Sequence, residues 1–518
     1  MMKNLPIGTQ SFSVLRSTDC LYVDKTADIY RMVTTGRVYF LARPRRFGKS
    51  LLVSTLDALF SGQTDLFDGL YIYERWDWSQ SCPVVRLDFG SCAFSSVEEL
   101  KTSLNDFVDA TADSYQLLLR ENTLLGKFGE LIKKLHSATG RRVVILIDEY
   151  DKPITDYLSN PEVMTANKRA LHDFYQVMKA ADEHIRFIFL TGVSKFSGVS
   201  VFSALNNLND ITMDDKYASI CGYTQTELEA CFAEYLDDVA NYTGMSRENL
   251  LDGIRTWYNG YSWDGETSVY NPFSTLLFFD KKRFSNYWFR TGTPTFLVNL
   301  IKERNRIAPV LKPVIIDESS FESYNPANIG EIPLLFQTGY LTVRHRELHD
   351  GQAQYTLDIP NQEVKESILR HLLGAYSAYP VEEVQPLIFE MRRQIYEGDS
   401  SGLEQNLRML LANIPHNLHV PKEAYYHSLF LLWMRMLGFD IQGEVLTNIG
   451  RIDAVWHQAG LTVVTEIKFH SDKNIDDLLG EAMAQINDRR YYEAYHDRQV
   501  ILMAIAFTGK EVKCLMKY

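Results

Sequence analysis

The sequence has no long hydrophobic run, no paired cysteines and no surplus of positive charge. Its longest apolar stretch near the end, Leu429 to Phe439, is interrupted by Arg435. That stretch falls well short of the roughly 20 residues that cross a bilayer. The six cysteines (Cys20, Cys82, Cys92, Cys221, Cys231 and Cys514) are scattered and include no C-x-x-C pair. Neither a zinc ribbon nor a disulfide framework is indicated, and reduced thiols are the expectation. The first residues, M-M-K-N-L-P-I-G, lack the apolar core of a signal peptide. These absences lead to the expectation of a cytoplasmic protein with no membrane partner. Lys plus Arg total 53 against 66 Asp plus Glu, a formal net charge of −13. Bulk charge therefore excludes a histone-like or coating role, and any contact with DNA needs a local basic groove or a bound cation. Internal repeats, low-complexity tracts and heptad runs are also missing.

What remains is an ordinary globular composition, 46% apolar and 23% charged over 518 residues, with length for about three domains. The first half alternates short β-branched runs with helical patterns, which predicts a parallel α/β sheet. Strands are expected at Val38–Ala42, Val84–Phe89, Val143–Ile147 and Phe187–Thr191, with a helix from Lys49 to Ser61. From about Gly222 helices dominate, with aromatic clusters at Trp257, Tyr258, Tyr261, Trp263, Tyr287, Trp288 and Phe289, and a small strand pair near Gly339–Val343. A largely helical stretch, Glu363 to Asn417, carries no readable motif, and Pro421 marks a boundary. Beyond it one long helix, two β-rich runs, an amphipathic helix and a last strand near Val500–Ala504 are expected.

Arg43-Pro-Arg-Arg-Phe-Gly-Lys-Ser50 lies between a strand and a helix. Gly48-Lys49-Ser50 fits the end of a Walker A loop: Gly48 admits phosphate to the backbone, Lys49 reaches the β and γ groups, and Ser50 ligates Mg²⁺. The helix N-terminus adds amide donors and a favourable dipole. Arg43 stands where the first glycine of that motif belongs. A solvated basic turn is the plain alternative, and Arg43, Arg45 and Arg46 binding DNA phosphates is another. About 100 residues on, Val143-Val-Ile-Leu-Ile-Asp-Glu-Tyr-Asp151 has the Walker B pattern. Asp148 would hold Mg²⁺, and Glu149 would orient or deprotonate the attacking water. Ligands of open parallel sheets bind at the carboxyl ends of the strands, where this pair belongs. A third strand ends in Thr191-Gly-Val-Ser-Lys-Phe-Ser197, offering Thr191, Ser194 or Lys195 as a γ-phosphate sensor, or an ordinary polar loop.

These segments, together with Tyr22-Val-Asp-Lys-Thr26, Trp257-Tyr-Asn-Gly-Tyr261 and Tyr270-Asn-Pro-Phe-Ser274, resemble the bacterial AAA-ATPase-like family over roughly residues 5 to 290. The resemblance implies an ATP-binding core related to AAA+ and archaeal ATPases, followed by a helical lid. It also makes Arg43 the family's own loop variant, and it implies that Arg43, Arg46, Gly48, Lys49, Ser50, Asp148 and Thr191 contact the nucleotide.

Near the C-terminus, Gly450-Arg-Ile-Asp-Ala-Val-Trp456 and Leu461-Thr-Val-Val-Thr-Glu-Ile-Lys-Phe469 read as neighbouring strands joined by His457-Gln-Ala-Gly460. Glu466 and Lys468 share one strand face. A hairpin brings Asp453 to them, and two carboxylates make a hard oxygen site suited to Mg²⁺ or Mn²⁺. Lys468 could activate the water that attacks a phosphodiester. Solvent-facing charges are the alternative, but the apolar surroundings suggest a buried strand, where unpaired charges are costly. The pattern Asp…Glu-x-Lys resembles the PD-(D/E)XK nuclease superfamily over about residues 421 to 518. Gln485 and Tyr491 resemble its Q-x-x-x-x-x-Y element or are plain helix-face residues. Glu423 resembles the helix acid of some such sites, although a capped or exposed helix start is the favoured reading of Glu423 and His427.

The fold expected is therefore α/β: a P-loop parallel-sheet ATPase core (1–221), a helical lid or winged-helix-like subdomain (222–345), a helical connecting region (346–420) and an α/β restriction-endonuclease-like domain (421–518). The function expected is ATP-gated nucleic-acid processing or defence, by an ATPase that is also a Mg²⁺-dependent deoxyribonuclease. ATP and DNA would be its partners, with self-association or a protein partner open. The rival is a nucleotide-dependent switch signalling to a protein partner through a non-cleaving docking or DNA-binding module.

Overall fold

A computed structural model describes residues 2–158, 160–195, 205, 207–288, 313–322, 330–377, 381–412, 422–436, 438–439, 441–447, 450–458, 461–495, 499–508 and 511–518. Of the positions singled out above, Phe196, Ser197, Phe289, Asn417, Pro421, Ala459 and Gly460 lie outside the described residues. The described residues form two compact units, one ending at residue 363 and one running from residue 364 to the end. The expected divide at 345/346 falls inside a strand instead. Among the described residues no helix is long and apolar enough to cross a membrane, and all six cysteines are free thiols.

The first unit is built on five parallel strands: β1 (Val38–Ala42), β2 (Val84–Asp88), β3 (Val143–Asp148), β4 (Ile185–Gly192) and β5 (Asn209–Asp210). Their order is β2-β3-β4-β1-β5. Every residue of β1 and β3 is buried, because helices cover both faces of a parallel sheet and leave no solvated side for polar alternation. Pairing Asp88 with Asp148 and Leu41 with Thr191 brings the strand ends level. The helix after β1 runs Lys49–Phe60 and starts from Gly48 at φ +92°, a left-handed turn that glycine adopts without steric cost. Helices Gln225–Cys231, Ala233–Thr243, Arg247–Tyr258 and Pro272–Lys281 follow. They share an aromatic core in which Phe232 stacks on Phe279 and Tyr258 packs on Phe278. The first of these helices opens with a reciprocal capping box between Thr224 and Glu227.

The expected strand pair near Gly339 is β7 (Thr342–His349) and β8 (Gln352–Asp358), which an earlier strand, β6 (Val314–Asp317), joins in an antiparallel sheet of order β6-β8-β7. Gly339, at φ +88°, belongs to the turn before it.

The second unit carries a mixed sheet, β13-β12-β11-β10-β9. Its strands are β9 (Ile441–Thr447), β10 (Gly450–Gln458), β11 (Leu461–Phe469), β12 (Gln499–Phe507) and β13 (Val512–Lys517). Only β11 and β12 are parallel, joined through the helix Ile475–Asp488. Two strands thus exceed the expectation. β9 precedes the two anticipated runs, and β13 follows β12 as an antiparallel edge. Val455 opposes Val464, and both pack with Ile486 and Tyr491, so Tyr491 is a core residue. The helix Glu423–Met436 lays Tyr426 across Phe469 and Phe507 at ring separations of 4.5 and 5.0 Å.

Candidate functional sites

At the carboxyl ends of the first sheet, Lys49, Ser50, Arg45, Arg46, Asp88 and Glu149 line a cavity of about 690 Å³, within the range of small-molecule sites. A smaller apolar recess lined by Tyr22, Leu51, Cys221, Tyr223 and Pro272 adjoins it and shares Gly48. The helix Lys49–Phe60 has no side-chain cap, so the amides of its first turn stay open toward the cavity. Lys49 is buried and folded back, its Nζ donating to the carbonyls of Arg43 at 2.9 Å and Pro44 at 3.0 Å. Burial lowers its affinity for the proton, while Asp148 and Asp151 act in the opposite direction.

Asp148 is buried, and burial pushes its pKa up against a hydrogen bond from Ser50 and the charge of Lys49. Its Oδ1 accepts from the amide of Glu149. Glu149 holds a left-handed backbone, φ +52°. That conformation is strained for a side chain other than glycine and recurs at functional sites. Burial and the neighbouring Asp148 both push the Glu149 carboxyl upward, while Lys152 and Lys49 oppose them. Asp88 is a third carboxylate in this group, which sequence reasoning missed. Its signal was present: Val-Val-Arg-Leu-Asp repeats the pattern of β3, and register places the two strand ends side by side. Gly90 makes this proximity possible, since a Cβ there would lie 2.9 Å from Asp88 Oδ1 and 3.1 Å from Glu149 Oε2.

Two expected nucleotide contacts are otherwise engaged. Arg43 points inward: its guanidinium donates to the carbonyls of Ala42 and Thr212, each at 2.9 Å, and of Tyr217 at 3.2 Å. It also lies 3.8 Å from the centre of the Trp263 ring. Burial lowers its pKa to about 10, so it stays charged and braces the loop from within. Thr191 does lie on β4 between β1 and β3, but its hydroxyl donates to the Leu41 carbonyl at 2.7 Å. The Ser194 backbone and the Lys195 side chain are engaged as well. The Ser194 amide donates to Asp151 Oδ2 at 2.7 Å, and Lys195 pairs with Asp210 at 2.8 Å. Arg46, in contrast, lines the cavity and keeps a buried Nη1 without a hydrogen-bond partner. The residues present thus suit a polyanion: open helix amides, Lys49, and an arginine with an unfilled donor, with Ser50, Asp88 and Asp148 as oxygen donors for a cation.

In the second unit, β10 and β11 pair so that Ala454 opposes Thr465. The next step brings Asp453 opposite Glu466 on the face of Val455 and Val464. Asp453 Oδ2 accepts from the Ile467 amide at 2.8 Å. Lys468 donates to Glu466 Oε1 at 2.9 Å, and Glu466, 1% exposed, keeps a buried Oε2 with no partner. Burial pushes the Glu466 carboxyl up to about 7, with the charge of Asp453 adding to it and Lys468 opposing it. For Lys468 burial acts downward, but its hydrogen bond to Glu466 and the charges of Glu466, Asp453 and Glu423 outweigh it and raise its pKa. His427 comes to this site too, its Nε2–H donating to the Asp453 carbonyl at 2.8 Å. Gln485 is half-buried on the helix Ile475–Asp488. Among the described residues no group of three or more acidic, histidine or cysteine side chains is arranged to hold a metal. Two carboxylates with an unfilled oxygen nevertheless fit Mg²⁺, which keeps several waters and takes one or two protein carboxylates.

Comparison with known proteins gives a family for each of these two regions. Residues 6–202 match the family described as "Predicted AAA-ATPase", and residues 421–516 match the PD-(D/E)XK nuclease superfamily. The chain belongs to the AAA-ATPase-like family and carries a PD-(D/E)XK nuclease superfamily domain at its C-terminal end. A protein of Azotobacter chroococcum mcd 1, described as an uncharacterized protein in the vnfD 5' region, is 39% identical over 520 residues, 98% of this chain and 96% of that one. Domains of these two kinds generally use a nucleotide and a divalent metal.

Removing the Arg43 side chain takes a hydrogen bond from each of three interior carbonyls, of which that of Tyr217 keeps the Ile220 amide. Arg43→Ala is expected to lower unfolding stability by about 3 kcal/mol, read as a lower denaturant midpoint with unchanged slope. A midpoint equal to wild type would show that the guanidinium braces nothing.

Proposed function

We propose that this chain is an ATP-gated nucleic-acid-processing protein, with ATP–Mg²⁺ at the first cavity and a metal-dependent phosphodiesterase site at Asp453, Glu466 and Lys468. One observation carries the reading: Glu466 is a buried carboxylate with an unpartnered oxygen, beside a second carboxylate and an ammonium. Such an oxygen is costly to bury and calls for a function. A hard divalent cation, Mg²⁺ or Mn²⁺, satisfies it.

In this reading Lys49 exchanges its two loop carbonyls for the β and γ phosphates, and Arg46 and the helix amides complete the phosphate cradle. Ser50 and Asp148 hold Mg²⁺, and Glu149 takes a proton from the attacking water. At the second site Asp453 and Glu466 hold the cation, which supplies Lewis-acid polarisation of the phosphodiester when bound. Lys468 orients the water and meets charge developing on phosphate. His427 steadies Asp453 through its backbone carbonyl. DNA is the substrate proposed, and a cytoplasmic setting, supported by six free thiols, is part of the same reading. A switch that binds ATP without useful turnover and signals to a protein partner is the second reading. It is favoured by Arg43 and Thr191, both of which spend their donors on backbone carbonyls.

The deciding experiment incubates the full chain with linear, circular and single-stranded DNA and with RNA, in Mg²⁺ and in Mn²⁺, with and without ATP. ATP-dependent cleavage supports the first reading, whereas ATP binding with neither turnover nor cleavage supports the switch. Lys49→Ala should lose about 2–3 kcal/mol of ATP affinity by calorimetry, and equal affinity would remove Lys49 from the site. Glu149→Gln should retain affinity while slowing turnover about a hundredfold; unchanged turnover would rule out its role as base. Asp453→Ala should abolish cleavage and metal binding at the second site. Lys468→Ala should suppress cleavage yet keep the metal, and cleavage persisting in Asp453→Ala is fatal to that site.

A further inference from the structure

Glu363 has no place in the chemistry above, yet it is a fully buried carboxylate that accepts three hydrogen bonds. It is 0% exposed, and its Oε1 accepts from the Ser274 hydroxyl at 3.0 Å and from the amides of Tyr287 at 2.6 Å and Trp288 at 2.8 Å. Its Oε2 is buried with no hydrogen-bond partner. The charged group facing it is Arg46 of the phosphate loop, and each shifts the other's protonation. Tyr261, also buried, faces it as a neutral phenol held well above its ordinary pKa by burial, with the charge of Glu363 adding to that.

Arg46 shows the matching features. Its backbone is left-handed, φ +71°, its guanidinium lies 3.7 Å from the centre of the Phe273 ring, and its Nη1 is buried and unpartnered. Phe273 precedes Ser274, so one helix start, Pro272–Lys281, carries both the platform for the arginine and a donor to the carboxylate. The loop is tied to the same residues a second time, since Trp288 Nε1 donates to the Arg45 carbonyl at 3.2 Å. A cation and an anion, not joined as an ion pair, are therefore anchored on consecutive residues of one helix start, each with one buried atom unsatisfied, and the cation also lines the first cavity.

We propose that Glu363 is an internal counter-charge that competes with nucleotide phosphate for Arg46. When phosphate takes Arg46, the carboxylate left behind in the apolar pocket takes one proton from solvent, so that nucleotide binding and protonation of Glu363 are coupled. Glu363 is thus a positioning residue that sets how much of Arg46 is available. The inference rests on the nucleotide reading of the first cavity. Two balances make the exchange feasible. Burial pushes the Glu363 carboxyl up to about 7, while its three donors and Arg46 pull the other way. Loss of one cation near such a group moves its proton affinity across neutrality.

The test is ATP–Mg²⁺ affinity of the full chain by calorimetry at pH 6 and pH 8, for wild type, Glu363→Gln, Arg46→Gln and the double variant. The glutamine keeps an acceptor for Ser274 and the two amides but carries no charge. Glu363→Gln should bind ATP about tenfold more tightly than wild type at pH 8, where the wild-type carboxylate is ionised and its charge attracts Arg46. At pH 6, where the carboxyl is already neutral, the two should agree within about twofold. In the Arg46→Gln background the same change should have no effect beyond about twofold, since no arginine is left to compete for. A ratio independent of pH, a weaker Glu363→Gln at pH 8, or a gain that survives loss of Arg46 overturns the proposal. If Glu363→Gln does not fold, Arg46→Gln alone decides: it should weaken ATP binding more at pH 6 than at pH 8, and equal weakening overturns the proposal. Wild type that binds no ATP at either pH overturns the nucleotide reading itself, a different result from binding without the pH-dependent ratio.

Discussion

The buried charge of Arg43 shapes the phosphate loop. A guanidinium cannot shed its proton near neutrality, so once inside the protein it must be surrounded by acceptors. Three carbonyls, from the end of β1 and from the segment after β5, and the face of Trp263 supply that environment. The loop therefore begins from a fixed point on the inner side, where a glycine would leave space. Phe47 then packs on Tyr261 and Trp263, and the chain turns through left-handed residues at Arg46 and Gly48. With the loop so held, the amides of the helix that follows open into the cavity. Lys49 can rest on the carbonyls of Arg43 and Pro44 in the meantime.

Three carboxylates, Asp148, Glu363 and Glu466, show how one physical effect yields three outcomes. Burial is the largest influence on each, and in each it favours the neutral acid. Opposing interactions distinguish them. Asp148 has a hydroxyl from Ser50 and the nearby Lys49 ammonium, the pairing expected of a group that shares charge with a cation and phosphates. Glu363 has two amides and one hydroxyl gathered on a single oxygen, which holds the group in place without neutralising it. Glu466 has Lys468 on one oxygen and nothing on the other. Because water cannot compensate at any of these positions, a small change in nearby charge has a large effect on their protonation.

Tertiary placement also reassigns residues that looked functional. Thr191 occupies a position on β4 between β1 and β3, yet its hydroxyl satisfies Leu41. A buried hydroxyl at a strand end needs a partner, and the adjacent strand offers a carbonyl before any ligand arrives. Tyr491 lies in the C-terminal core, where an aromatic side chain contributes more through buried area than through its hydroxyl. In the other direction His427, which reads as part of a helix start, reaches the Asp453 carbonyl.

The sequence by itself determined the elements and the chemistry-bearing segments. Uninterrupted apolar runs at β1 and β3 require a sheet covered on both faces, Gly48-Lys49-Ser50 requires a loop opening a helix, and the spacing of Glu466 and Lys468 puts both on one strand face. These depend on local periodicity and on backbone conformation, which neighbouring residues dictate. Only the tertiary structure decided which polar groups were left unfilled. Arg43 and Arg46 are the same residue type three positions apart, and one turns inward onto three carbonyls while the other lines the cavity with a buried Nη1 left unpartnered. Asp88 joins Asp148 through register, Glu363 and Arg46 feel each other's charge across more than 300 residues of chain, and β9 and β13 gain their places by pairing. Each of these is a balance of burial against partners contributed from elsewhere in the chain. No local pattern contains it.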